Sequence, residues 1–139
     1  MRISNLRVIL TLVTNRWKMS STNNNVNGYN ADAWVAGQTA VGEWIQVDFS
    51  EHKMIEAVEL RTRVGLAQYV SSYKLAFSND GSSYSFVQIV NGEDRIFSGP
   101  TTADEGVTSS FAPTQARFIR LYPLTYQWYI AVKWEVYGC

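Results

Sequence analysis

Residues able to do acid–base or nucleophilic chemistry are few and scattered. The single histidine is His52, between Glu51 and Lys53 in the stretch Ser-Glu-His-Lys at 50–53. In a turn between strands it reads as a solvated side chain, because a general base needs a proton source and an orienting partner within reach. No Gly-x-Ser-x-Gly, Gly-x-Gly-x-x-Gly or phosphate-loop pattern occurs, and the carboxylates form no convincing pair. Asp104 and Glu105 fall in a polar connection and read as solubilising. The expectation is a protein that is not an enzyme. The one cysteine, Cys139, is the final residue, so it has no partner in this chain for a disulfide and no zinc spacing. It is either free or pairs outside the chain, and the count alone leans weakly to a reducing compartment. Calcium is the one cofactor with a case, since backbone carbonyls serve it as well as carboxylates. Asp32 and Glu135 are its candidate ligands, although the loop at 23–32 lacks the acid density of a calcium site.

Recognition chemistry is better represented. Aromatic residues make up 14% of the 139 residues, a high share that serves both β cores and binding surfaces. Twelve basic and twelve acidic residues cancel, which argues against nucleic acid as the main partner. A local basic patch from Arg61, Arg63, Arg117 and Arg120 remains compatible with that balance. The stretch Arg-Thr-Arg-Val-Gly-Leu-Ala-Gln-Tyr at 61–69 puts two arginines, a leucine and a tyrosine where a plain connection would be polar. Residues 20–33 are rich in Asn and Ser, yet Val26 and Tyr29 sit among them without a polar reason.

The elements that must position these residues are strands. Period-two alternation dominates after residue 40, and helical periodicity is hard to find. Ile45, Val47 and Phe49 share a face, as do Met54, Val58 and Leu60 with Glu56 interrupting, and Ile130, Val132, Trp134 and Val136. Trp44, Val47, Phe49, Phe77, Phe118, Leu121, Ile130 and Val136 are the expected core. Ser-Asn-Asp-Gly at 78–81 and Val-Asn-Gly at 90–92 supply turn residues that tolerate positive φ. Pro113 is expected to exclude a central strand at 111–116. The basic, briefly apolar N-terminus, Val8 to Val13, is too short to span a membrane and reads as a first strand rather than a signal peptide. Many short strands at regular spacing predict one all-β domain over 1–139, an antiparallel sandwich or barrel.

Several blocks together resemble a known family. Ala-Trp-Val-Ala-Gly at 33–37, Gly-Glu-Trp-Ile-Gln-Val-Asp-Phe at 42–49, Tyr-Val-Ser-Ser-Tyr-Lys-Leu-Ala-Phe-Ser-Asn-Asp-Gly at 69–81 and Ala-Arg-Phe-Ile-Arg-Leu-Tyr-Pro at 116–123 are similar to the discoidin domain, or factor 5/8 type C domain. The ending Ile-Ala-Val-Lys-Trp-Glu-Val-Tyr-Gly-Cys fits it too, so the likeness runs from Ala33 to Cys139 and leaves 1–32 as a divergent strand and loop. The resemblance implies an eight-stranded antiparallel β-sandwich of jelly-roll, galactose-binding-like type. It implies an extracellular or cell-surface adhesion module that binds through loops at one end. The ligand classes it implies are glycans, anionic phospholipids such as phosphatidylserine, and receptor ectodomains or collagen. Neutral net charge weakens the phospholipid case, so carbohydrate is the leading expectation. The alternative is a structural, oligomerising domain of a larger protein, with Cys139 forming an intermolecular disulfide.

Three loops are expected to hold the ligand: Val26, Asn27 and Tyr29; Arg61, Arg63, Leu66, Gln68 and Tyr69; and Tyr126, Gln127 and Trp128. Arg63 falls where the family carries the Arg of a Gln-Gly-Arg segment, and Tyr126 where it carries a Trp. The family pattern also suggests an ion pair of Asp48 with Lys133. The family's first cysteine has no counterpart here, which leaves Cys139 without its usual partner.

Overall fold

The computed structural model describes residues 42, 44–62, 67–103 and 105–138, with the backbone of strand residues 11–14 and 34–35. The strands are β1 (Thr11–Thr14), β2 (Trp34–Val35), β3 (Ile45–Arg61), β4 (Tyr69–Ser78), β5 (Ser85–Phe86), β6 (Phe97–Ser98), β7 (Gly106–Gln127) and β8 (Ala131–Gly138). All pairings between them are antiparallel, and no helix occurs among the described residues. β1 overlaps the end of the apolar run expected to be the first strand.

Two long strands make the sandwich by changing partners midway. The first part of β3 lies between β1 and late β7, with Asp48 opposite both Thr11 and Phe118. Its later part lies between β8 and early β7, with Leu60 opposite both Trp134 and Val107. Late β7 also pairs with β4, which carries β5 and β6 on its other side. One sheet is therefore β1-β3-β7-β4 and the other β2-β8-β3-β7. The bend in β3 falls at Ser50, whose φ is +67°. Asp48 Oδ1 accepts the Ser50 N–H at 2.8 Å and holds that unusual conformation.

β7 bends at Pro113. The strand runs through the proline, contrary to expectation, because the ladder skips it. Ile55 pairs with Thr114 and Ala57 with Ser110, so residues 111–113 lie between register positions where no ladder N–H is required. The same slip corrects the alternation of β3. Met54 is 40% exposed while Ile55, Ala57, Val58 and Leu60 are buried, because the irregularity at Glu56 reverses the phase.

The core is built from the inner faces of both sheets: Ile45, Val47 and Phe49 from early β3, Val70, Tyr73, Leu75 and Phe77 from β4, Ile119 and Leu121 from β7, and Val132 and Val136 from β8. Tyr73 stacks on Phe97 at 5.3 Å between ring centroids, and Phe111 meets the Phe97 ring edge-on at 6.1 Å. Such pairs add about 0.5–1.5 kcal/mol each beyond the area they bury. Burial pushes the Tyr73 hydroxyl up to about 12.

Two expected core residues lie elsewhere. Ile119 and Leu121 take the inner face of β7, so Phe118 is half-buried on the outer face beneath the Arg117 guanidinium, 4.9 Å from its ring centroid. Trp44 is half-buried against Arg120. The expected Asp48–Lys133 pair is also replaced. Arg117 grips Asp48 with Nε on Oδ1 at 2.9 Å and Nη2 on Oδ2 at 3.0 Å. Lys133 sits opposite Arg61, at the far end of β3 from Asp48. Arg117 wins because it stands one residue from Phe118, the cross-strand partner of Asp48.

Candidate ligand-binding end

Register brings several strand ends to one end of the sandwich. Tyr69 opens β4 opposite Gln127, which closes β7. Arg61 closes β3 opposite Gly106, which opens β7, and opposite Lys133 near the start of β8. The connections 62–68, 99–105 and 128–130 therefore leave from the same end.

The connection after β7 is a single tight turn. Tyr129 N–H donates to the Gln127 carbonyl at 2.7 Å, and Trp128 between them has φ +62°. Closure over two residues around a left-handed centre is a γ-turn, a rare form that for a bulky residue stores about 1–3 kcal/mol of strain. Ile130 then drops into the core, and β8 starts at the next residue, Ala131. Pinned between Gln127 and Ile130, the turn has no room for its rings inside. Trp128 is 71% exposed, Tyr129 51% and Tyr126 37%. Clustered exposed aromatic surface at a loop tip makes this turn the candidate recognition surface of the end. Beside it, Thr125 Oγ1 shares short hydroxyl hydrogen bonds with Ser71 at 2.7 Å and Ser72 at 2.6 Å.

The 62–68 connection is described at its feet. Tyr69 is buried, and its hydroxyl donates to the Thr101 carbonyl at 2.7 Å. That bond ties the start of β4 to the segment after β6. Gln68 is half-buried next to Tyr69. Arg63 and Leu66 lie outside the described residues, as do Val26, Asn27 and Tyr29 of the first expected loop.

The 99–105 crossover reads in the sequence as a longer polar connection, because a stretch of Thr, Ala and acids has the composition of a solvent-facing linker. Its one structural signal is Gly99, its first residue. A Cβ on Gly99 would lie 2.2 Å from the Val70 carbonyl oxygen, so only glycine lets the chain leave β6 this close to β4. Within the crossover, Glu105 Oε1 accepts the Thr101 N–H at 3.3 Å and Oε2 accepts the Thr102 hydroxyl at 3.0 Å.

Other expected site residues make contacts within the protein. Arg61 is exposed at the ligand end, but its Nε donates to Glu59 Oε1 at 2.6 Å on the outer face of the second sheet. Glu135 lies on that face opposite Glu59, with its Oε2 accepting the Tyr137 hydroxyl at 2.7 Å. That bond leads the causes that push Tyr137 up to about 12. Asp32, the other proposed calcium ligand, lies outside the described residues, among which no group of three or more His, Cys, Asp and Glu residues could hold a metal ion.

The arginine patch is also taken apart. Arg120 is sandwiched with its guanidinium carbon 3.9 Å from the ring centroids of both Trp44 and Tyr84. Its Nε donates to Gln46 Oε1 at 2.8 Å, an atom that also accepts the Tyr84 hydroxyl. Among the described residues, no helix is long and apolar enough to cross a membrane.

With this geometry in hand, comparison with known proteins places the chain. The human EGF-like repeat and discoidin I-like domain-containing protein 3 is 30% identical over 112 residues, which is 78% of this chain and 23% of that protein. The chain thus spans about a quarter of the length of this relative. Discoidin II of Dictyostelium discoideum superposes with a TM-score of 0.74 at 24% identity, covering 93% of this chain and 55% of that one. The family 32 CBM from C. perfringens NanJ, solved in complex with galactose, superposes with a TM-score of 0.69 at 12% identity, covering 93% of both chains. The sequence matches the F5/8 type C domain over residues 10–136, and the chain belongs to that family.

Proposed function

We propose that this domain is an extracellular or cell-surface binding module that takes a carbohydrate at the end formed by the turn at 126–129. The observation that carries the reading is Trp128, exposed in a left-handed turn between Tyr126 and Tyr129. A sugar presents one face of C–H groups and a rim of hydroxyls. Flat aromatic rings match the face, while Gln127, Gln68 and the hydroxyls of Ser71, Ser72 and Thr125 suit the rim. The galactose held by the NanJ module of the same fold supports the choice of class. Arg63 and Leu66, and Val26, Asn27 and Tyr29, join the proposal on sequence grounds as flanking contacts. The binding itself involves no catalysis, and calcium enters only as a condition to vary.

A glycan array, followed by titration with galactose with calcium and again with chelator, tests this directly. Expected is binding to a defined set of glycans that falls at least tenfold in Trp128→Ala. A blank array beside firm binding to phosphatidylserine vesicles replaces the sugar with a lipid headgroup. Non-reducing electrophoresis of the intact protein separately tests a Cys139 link between chains, the expectation of the oligomerising alternative.

A further inference from the structure

The crossover at 99–105 is tied to the ligand end more firmly than a linker needs. It joins β6, beside β4 in the first sheet, to β7 where that strand pairs with β3 in the second. On the way it meets both feet of the 62–68 connection. Thr62 N–H donates to the Glu105 carbonyl at 3.3 Å, and the Tyr69 hydroxyl donates to the Thr101 carbonyl at 2.7 Å. The Glu105 carboxylate folds back on the Thr101 N–H and the Thr102 hydroxyl and holds these two residues in place. At its start, Gly99 N–H donates to the Ser71 carbonyl at 2.8 Å. Thr101, Thr102 and Ala103 nevertheless remain exposed. The segment is thus a held surface, and Tyr69, its central tie, pairs across the ladder with Gln127 at the foot of the aromatic turn.

We propose that the described crossover residues 99–103, tied by Tyr69 and Glu105, are a preformed wall of the carbohydrate site, with Tyr69 and Glu105 as positioning residues that set its distance from the aromatic turn. This rests on the carbohydrate reading above. Tyr69 is buried and reaches the ligand only through the Thr101 carbonyl it holds. Glu105 acts through the Thr101 and Thr102 groups it gathers. A wall fixed before the ligand arrives lowers the ordering cost of binding, which is the physical basis of affinity gained by pre-organisation.

The test compares wild type, Tyr69→Phe and Glu105→Gln, with galactose as the probe, by calorimetric titration alongside thermal unfolding. Tyr69→Phe removes one oxygen and keeps the ring in the core. Glu105→Gln keeps the shape and weakens the acceptor. Each variant is expected to bind about fivefold more weakly, the equivalent of one net hydrogen bond, with the loss in the entropy of binding. Thr102→Val, which loses one exposed hydroxyl and leaves the Tyr69 tie intact, is expected to bind between wild type and these two. Wild-type affinity in both Tyr69→Phe and Glu105→Gln overturns the wall while leaving the carbohydrate reading intact. If Tyr69→Phe does not fold, Glu105→Gln alone decides. Absence of galactose binding in the wild type removes the carbohydrate reading for this probe, and the wall with it.

Discussion

Trp128 combines two properties that stability alone does not favour: a left-handed backbone and a large apolar ring in water. Replacing it with glycine relieves the first and removes the second. Trp128→Gly is therefore expected to abolish ligand binding while leaving the urea midpoint unchanged or higher. A loss above about 1 kcal/mol would mean that the ring supports the fold after all. Arg120 is the opposite kind of residue. Its guanidinium fills the gap between Trp44 and Tyr84 and donates to Gln46, contacts an ammonium cannot reproduce together. Arg120→Lys is expected to cost about 1–2 kcal/mol in denaturant unfolding and to leave ligand affinity unchanged. The two residues show how unevenly the site could be read in advance. Trp128 was legible as an aromatic in a short connection between strands, but its φ was not, because the strain is imposed by Gln127 and Ile130 being fixed on either side. Arg120 looked like a free cation because its ring partners come from positions far away in the chain.

At the scale of elements, alternation located both halves of β3, β4, late β7 and β8, but the turn expected around His52 is part of one continuous strand, Ile45–Arg61, and alternation did not mark β2, β6 or early β7. What it could not locate were the slips in register. A shift of one residue at Glu56 sends Met54 outward and Ile55 inward, and a skipped stretch lets Pro113 ride inside a strand of 22 residues. Such slips are set by the partner strand, so a single strand's pattern carries no record of them. The ties of the 99–105 crossover were not legible for a related reason: they run to Thr62 and Tyr69, distant in sequence. Its dependence on backbone approach is testable at Gly99. A methyl there would sit 2.2 Å from the Val70 carbonyl oxygen, inside any tolerable contact. Gly99→Ala is expected to lower stability by about 2 kcal/mol or more in urea unfolding, since neither strand can retreat without breaking the β4 ladder. A variant as stable as wild type would show that β6 is free to shift.

For the whole molecule, titration links sites that no single element contains. Asp48 ties β3 to β7 through Arg117, and that charge-assisted hydrogen bond is the main reason its carboxyl lies below the usual range. A carboxyl with a lowered folded pKa stabilises the protein above its unfolded pKa and loses that contribution as pH falls through the folded value. The pair lies near the surface, where solvent screens it, so its worth is small. Asp48→Asn should remove it and flatten the acid limb of stability by the same amount. Tyr73 works at the other extreme. Burial between the sheets raises its hydroxyl from 10.0 to about 12, so the folded state keeps a proton that the unfolded chain releases. Its contribution is intact below pH 10 and is lost as pH rises toward 12, with a span of about 2–3 kcal/mol. Urea unfolding from pH 3 to pH 11 is therefore expected to give a plateau through neutrality, with a shallow acid limb and a steeper alkaline one. Tyr73→Phe keeps the stack on Phe97 and has no proton to lose, so it should straighten most of the alkaline limb. An alkaline slope unchanged in Tyr73→Phe would assign that limb to the other raised tyrosines, Tyr137, pushed to about 12 by its bond to Glu135, and Tyr84, raised by burial, and would count against a core that stays closed around Tyr73.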